Sequence, residues 1–267
     1  METTTWLIII SVLLVTMLVG VLLSFYFLQE KLIFSPIKLP HDYVYPFDIN
    51  FVERYYEVED GIKLNSILFK VNNPKGLLFY IHGNGDNLRY WGDFAHYFTH
   101  FEYDVFMYDF RSFGKSNGKI RGERNLQRDA KFLYKELIKE YGEENTIIYG
   151  FSIGTGIASR LASRNNPKHL VLEAPYYNFI DLVKYHKAYL PADLISKYHF
   201  RTNKYLPIIK CPITIFHGTE DRKVPYHSGE KLRDLNKNLH FVPIAGATHS
   251  DMQQMDVYQN ELAKILT

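Results

Sequence analysis

Residues 146–156, TIIYGFSIGTG, decide the fold. Residues 146–149 are β-branched and aromatic, the composition of a buried strand. Gly150-Phe151-Ser152-Ile153-Gly154 follows and matches G-x-S-x-G, and residues 157–162 read as helix. A strand, a tight turn and a helix in that order is the setting in which this pattern forms a nucleophile elbow. Gly150 and Gly154 lack the Cβ atoms that would strike the crossing chain, and the turn pushes Ser152 Oγ out at the top of a sheet.

Outward from this turn, strand-like and helix-like runs alternate. Residues 54–59 and 64–70 read as strands joined at Asp60-Gly61, a hairpin signal. Residues 76–81 form a short apolar strand that runs into His82-Gly83-Asn84-Gly85, and Leu88, Trp91, Phe94, Ala95 and Phe98 then fall at helical spacing. Residues 104–109 read as a strand, and Leu126, Ala130, Leu133, Leu137 and Tyr141 keep one apolar face through a long helix. Beyond the elbow come strands at 170–173, 213–216 and 240–244 and helices at 226–235 and 252–265. The alternation predicts an α/β fold: a mostly parallel central sheet flanked by helices on both faces.

The N-terminal end has a different composition. Residues 6–28 carry no charge, a run long enough to cross a bilayer core of about 30 Å. A signal peptide would need a basic leading segment and a small-x-small cleavage site, and this segment has neither. Residues 1–28 are therefore expected to be a membrane anchor, 29–50 a proline-interrupted connector rich in aromatics, and 51–267 the folded domain. Lys31 and Lys38 follow the span while Glu2 precedes it, so charge bias leans towards a cytoplasmic domain.

A serine hydroxyl needs a base, usually a histidine held by a carboxylate. Behind an elbow the chain order is Ser, then Asp or Glu, then His. After the strand at 213–216 comes His217-Gly218-Thr219-Glu220-Asp221, and after the last strand comes Gly246-Ala247-Thr248-His249. These predict a set of Ser152, Asp221 and His249, with Glu220 the alternative acid and His217 the competing base. An oxyanion hole would use the N–H of Ile153 and that of Asn84 in the glycine-flanked loop. His82 reads as structural, and Asp109 as the partner of Arg111. None of these residues lies in the span, so anchor removal is expected to leave hydrolysis of a soluble ester intact.

Six stretches together carry a resemblance. They are Gln29-Glu30-Lys31-Leu32-Ile33-Phe34-Ser35-Pro36, the His82 to Gly85 loop, Tyr108-Asp109-Phe110-Arg111-Ser112-Phe113-Gly114-Lys115-Ser116, the elbow, 217–225 and 246–249. From about residue 29 the chain resembles α/β-hydrolase serine hydrolases, most of all the membrane-anchored, single-span group that includes protein depalmitoylases and lysophospholipid hydrolases. The resemblance implies cleavage of acyl esters or thioesters through an acyl-enzyme. Its substrate would be a lipid or a lipidated protein, with no metal or organic cofactor. Ser112 departs from the glycine usual in the family's aspartate-aromatic-arginine-glycine loop. A serine aminopeptidase-type peptidase and a non-catalytic membrane-tethered scaffold of the same fold are the alternatives.

Residues 174–210 are too long for a plain connection and are rich in tyrosine and phenylalanine. They predict either a small cap, at about 176–206, with an apolar acyl pocket, or a crossover helix with an aromatic packing face. The formal net charge of +2 and the lack of a long basic run give no reason to expect nucleic acid. Cys211 is the sole cysteine, so no intrachain disulfide can form.

Overall fold

The structure is a computed structural model and describes residues 2–267. In chain order the elements are α1 (Glu2–Ile33), β1 (Phe51–Glu59), β2 (Ile62–Phe69), β3 (Gly76–Ile81), α2 (Leu88–Trp91), α3 (His96–Thr99), β4 (Tyr103–Tyr108), α4 (Glu123–Tyr141), β5 (Thr146–Phe151), α5 (Ile153–Ala162) and β6 (His169–Glu173). They continue with α6 (Phe179–His186), α7 (Ala192–Ile195), α8 (Thr202–Tyr205), β7 (Ile213–Gly218), α9 (Tyr226–Glu230), β8 (Leu239–Ile244) and α10 (Asp256–Leu266). The eight strands form one sheet in the order β1-β2-β4-β3-β5-β6-β7-β8. β2 runs antiparallel to β1 and β4, and the six strands from β4 to β8 are mutually parallel.

Alternation along the strands builds two cores, one per face. Leu77, Phe79, Ile81, Phe106, Tyr108 and Ile148 point to the face covered by α4 and α5. Leu78, Tyr80, Val105, Met107, Ile147 and Tyr149 point to the face covered by α2, α3 and α10. β3, β4, β5 and β7 are buried throughout, the condition of strands covered on both sides. The elbow strand β5 lies at the centre, between β3 and β6.

Three expected helices are shorter or broken. Residues 88–98 split into α2, a 3₁₀ turn at Gly92–Ala95 and α3, with Phe47 of the connector packed so close to Gly92 that a Cβ there would strike its ring. Residues 226–235 are helical only to Glu230, because Leu232, Arg233 and Leu235 then bond three residues back instead of four. The closing segment is a 3₁₀ turn, an extended Met255, and α10.

Helix α1 is long and apolar enough to cross a membrane, and no residue of its spanning window is buried. It continues to Ile33, into the stretch expected to be connector. In the 174–210 insertion, Tyr176, Phe179, Tyr198 and Phe200 pack into the core while Tyr185 and Tyr189 stand exposed. The segment thus has both an aromatic packing face and an open flank.

Candidate active site

At the end of β5, Ser152 takes φ +52° and ψ −117°. A side chain is rarely held in this left-handed region, at a strain of about 1–3 kcal/mol. The surrounding packing holds the turn. Ser152 N–H donates to the Glu173 carbonyl at 2.9 Å. A Cβ at Gly150 would lie 2.7 Å from that of Ala158, and one at Gly154 would run into the Ile81 carbonyl oxygen. The serine also caps α5, where unpaired N–H groups favour negative charge.

The structure brings Ser152, His249 and Asp221 together from three loops at the carboxyl edge of the sheet. His249 Nε2 lies 3.1 Å from Ser152 Oγ, and His249 Nδ1 lies 2.7 Å from Asp221 Oδ2. The carboxylate can only accept, so Nδ1 carries the proton and Nε2 presents a lone pair to the hydroxyl. Asp221 Oδ1 accepts from the N–H groups of Lys223 and Val224, at 2.9 Å each. Both oxygens are thereby committed, and Asp221 and His249 are buried.

The alternatives fall elsewhere. Glu220 is exposed, and only its backbone is bound, to the Ala247 carbonyl. His217 is fully buried and donates Nε2–H to the Val224 carbonyl at 2.8 Å. It stands 3.6 Å from Asp221 Oδ2, and burial lowers its pKa. It supports the acid loop and makes no bond to Ser152.

His82 is enclosed, stacked on Phe110 at 4.1 Å and beside Trp91. Desolvation pushes its pKa down to about 4, so it is neutral at pH 7. The expected Asp109–Arg111 pair does not form. Arg111 turns towards α4 and forks onto Asp129 at 2.7 and 2.8 Å, with Glu59 as a further partner. Asp109 stays on the sheet side, accepts from Leu88 N–H, and burial holds its pKa well above the usual carboxylate range. Ser112 adopts φ +72°, the conformation glycine takes readily, and its Oγ donates to the Gly118 carbonyl at 3.0 Å.

Asn84 and Ile153 both line the cavity above Ser152. Ile153 opens α5, so its N–H has no intrahelical acceptor. The Asn84 side chain does something the sequence did not disclose: it grips the end of α1. Its Nδ2 donates to the Ile33 carbonyl, and its Oδ1 accepts from Ser35 N–H at 3.1 Å and Gly85 N–H at 2.9 Å. A second unforeseen cluster lies behind the elbow. The Glu173 carboxyl accepts from Tyr149, Tyr258 and Gln253, and desolvation pushes its pKa up to about 7. Gln253 follows His249, so this buried acid ties the histidine loop to the sheet. A lone glutamate ending an apolar strand was the available signal.

The cavity has a volume of about 860 Å³. Trp91, Phe94, Phe179, Leu182, Val183 and Leu190 give it apolar walls, and its charged lining is Asp86, Lys187 and Lys223. Phe25, Gln29, Leu32 and Ile33 of α1 also line it. Of these four only Phe25 belongs to the uncharged run 6–28, and Ser152, Asp221, His249, Asn84 and Ile153 all lie outside it.

The family model described as Hydrolase_4, serine aminopeptidase, S33, matches residues 72–204. The lysophosphatidylserine lipase ABHD12 of Danio rerio is 32% identical over 189 residues, covering 62% of this chain and 48% of that one. The α/β hydrolase domain-containing protein 17B of Homo sapiens is 29% identical over 209 residues, covering 73% and 67%. The esterase Pf2001 of Pyrococcus furiosus superposes with a TM-score of 0.69 at 22% identity, covering 87% and 98%. The chain is an α/β-hydrolase-fold serine hydrolase. This α/β-hydrolase spans about half the length of the zebrafish lipase, and its likeness to the archaeal esterase is one of fold.

Proposed function

We propose that this α/β-hydrolase is a membrane-anchored enzyme that cleaves acyl esters or thioesters of a lipid or lipidated protein, with Ser152, His249 and Asp221 as its triad. The observation that carries the reading is the continuous chain from Asp221 through His249 to Ser152 Oγ, at 2.7 and 3.1 Å, beneath an apolar cavity. Ser152 Oγ attacks the acyl carbon while His249 Nε2 takes its proton, and Asp221 orients the imidazole and stabilises its cation. The N–H groups of Ile153 and Asn84 receive the oxyanion. His249 returns the proton to the leaving alcohol or thiol, and water then releases the acid from the acyl-enzyme. This route needs no metal or organic cofactor.

Apolar walls favour an acyl chain over a peptide, and the lining offers two lysines against one carboxylate, a poor seat for a peptide's ammonium group. The relative named a lysophosphatidylserine lipase acts on a substrate of the acyl-ester class. The uncharged run 6–28 supplies the anchor, about 34 Å at 1.5 Å per residue. Residues 29–50 are the connector, 51–267 the hydrolase domain and about 176–206 a small cap. The excess of Lys31 and Lys38 after the span over Glu2 before it supports a domain on the cytoplasmic side.

A fluorophosphonate probe tests the reading. It labels the full-length protein in vesicles, leaves Ser152→Ala unlabelled, and the unlabelled variant loses hydrolysis of long-chain acyl esters. Equal labelling of the two proteins, or ester turnover that survives in folded Ser152→Ala, would refute it.

A further inference from the structure

Helix α1 has two different faces in its last turns. Phe27 is 67% exposed, whereas Phe25 and Ile33 are half-buried and Gln29 is buried. Positions 22, 25, 29 and 33 form one helical stripe, and Leu22 is half-buried with them. The stripe is bolted to the insertion between β6 and β7. Gln29 Nε2 donates to the Ile195 carbonyl at 3.0 Å, and its Oε1 accepts from Lys197 N–H at 2.7 Å. Lys197 Nζ reaches Glu30 at 3.2 Å, as does Tyr198 Oη.

This stripe is also a wall of the cavity that holds Ser152, from Phe25 to Ile33. Those two residues are eight positions apart, about 12 Å along the axis. The uncharged run ends at Leu28, so Phe25 belongs to the apolar layer while Gln29, Glu30 and Lys31 stand at headgroup level. One cavity thus reaches from the serine to a residue of the span. On the insertion that packs against α1, Tyr189 and Leu194 are 73% and 85% exposed, a patch of apolar surface.

We propose that α1 is a wall of the substrate channel as well as a tether, and that the acyl chain of a membrane-borne substrate enters the cavity directly from the bilayer along the Phe25–Ile33 stripe. The inference deepens, and rests on, the reading of Ser152 as nucleophile. The physical reason is that an acyl chain pulled through water exposes every methylene that the bilayer had covered, at a cost that grows with chain length. A wall of Phe25, Leu32 and Ile33, interrupted only by the Gln29 amide whose two ends are already hydrogen-bonded, lowers that cost. Gln29, with both ends of its amide bonded, fixes the gap between α1 and the insertion.

The test uses full-length protein in phospholipid vesicles and an alkyl fluorophosphonate with a photoreactive diazirine at the end of its long chain. Ser152 is labelled, and illumination then crosslinks the chain end to the peptide carrying residues 22–33. A labelled protein whose crosslinks fall only outside α1 overturns the inference and leaves the hydrolase reading standing. An unlabelled protein overturns the nucleophile assignment, and the inference with it. A pair of variants gives an independent measure. Phe25→Trp narrows the channel and lowers the ratio of long-chain to short-chain ester turnover about tenfold, the scale on which an apolar pocket discriminates by size. Phe27→Trp, on the lipid-facing side of the same helix, leaves the ratio as in the parent, and equal ratios in the two variants would also overturn the proposal.

Discussion

Replacing Asp221 by asparagine alters a single atom of the site, and the hydrogen bonds dictate how the new side chain must sit. Oδ1 of Asp221 accepts from the backbone N–H groups of Lys223 and Val224. The asparagine carbonyl must occupy that position, since an NH2 there would oppose two donors. Its NH2 then faces His249 Nδ1, where the carboxylate oxygen had accepted at 2.7 Å. Nδ1 is forced to accept, so the ring proton moves to Nε2, the nitrogen 3.1 Å from Ser152 Oγ. A protonated Nε2 cannot take the serine's proton. Loss of the correct tautomer together with the imidazolium's counter-charge is expected to lower kcat by roughly ten-thousandfold, about 5 kcal/mol of transition-state stabilisation. Exposed Glu220→Gln should stay within about twofold of the parent, as surface changes usually do. Initial rates on a soluble short-chain ester, measured on detergent-solubilised protein with circular dichroism to verify folding, give both numbers. Folded Asp221→Asn within tenfold of the parent, or Glu220→Gln losing as much, would refute the tautomer argument.

Asn84→Ala keeps the backbone N–H but releases the loop from Ile33 and Ser35; kcat on a short ester should fall about tenfold with little change in KM, part of what loss of a whole oxyanion donor removes, and steady-state kinetics with an unchanged kcat would count against the clamp. Glu173 keeps its proton to about pH 7 in the folded chain, against 4.5 for a free side chain. Between those values the folded state binds more protons, so this group makes stability fall by about 3 kcal/mol as pH rises through the window. Glu173→Gln, whose amide can still meet Gln253 and the two tyrosines, should remove that slope in denaturant titrations at pH 5 and 7. His82 has the opposite sign, since its pKa of about 4 lies below the ordinary 6.5 and its contribution is lost as pH falls through that range; the Glu173→Gln variant should therefore show a steeper net loss of stability on acidification than the parent. Ser112→Gly trades relief of a left-handed backbone for loss of the bond to Gly118, each about 1 kcal/mol, so its denaturation midpoint should barely move. Ser112→Val keeps the strain, adds a β-branch and loses the bond, and should unfold earlier in the same titration.

The α/β architecture, the strand–turn–helix around Ser152 and the chain order of Ser152, Asp221 and His249 were legible in local patterns. Those features are carried by patterns a few residues long: an apolar run, two glycines flanking a serine, a loop after a strand. The capacity of residues 6–28 to cross a membrane was legible there too, because length and lack of charge are local properties. Which of the two neighbouring carboxylates meets His249 belonged to the tertiary structure, which buries Asp221 against two amides and leaves Glu220 in solvent. So did the partner of Arg111, which lies a helix away on α4 instead of two residues back. The Asn84 grip on Ile33, the Gln29 bolt to Ile195 and Lys197, and the Glu173 cluster join residues between 24 and 168 positions apart. No periodicity links such positions; they meet because the parallel sheet gathers the carboxyl ends of β3, β5, β6 and β7 at one edge and α1 ends against that edge. That is why the last turns of α1, distant in sequence from Ser152, line the cavity above it in the folded chain.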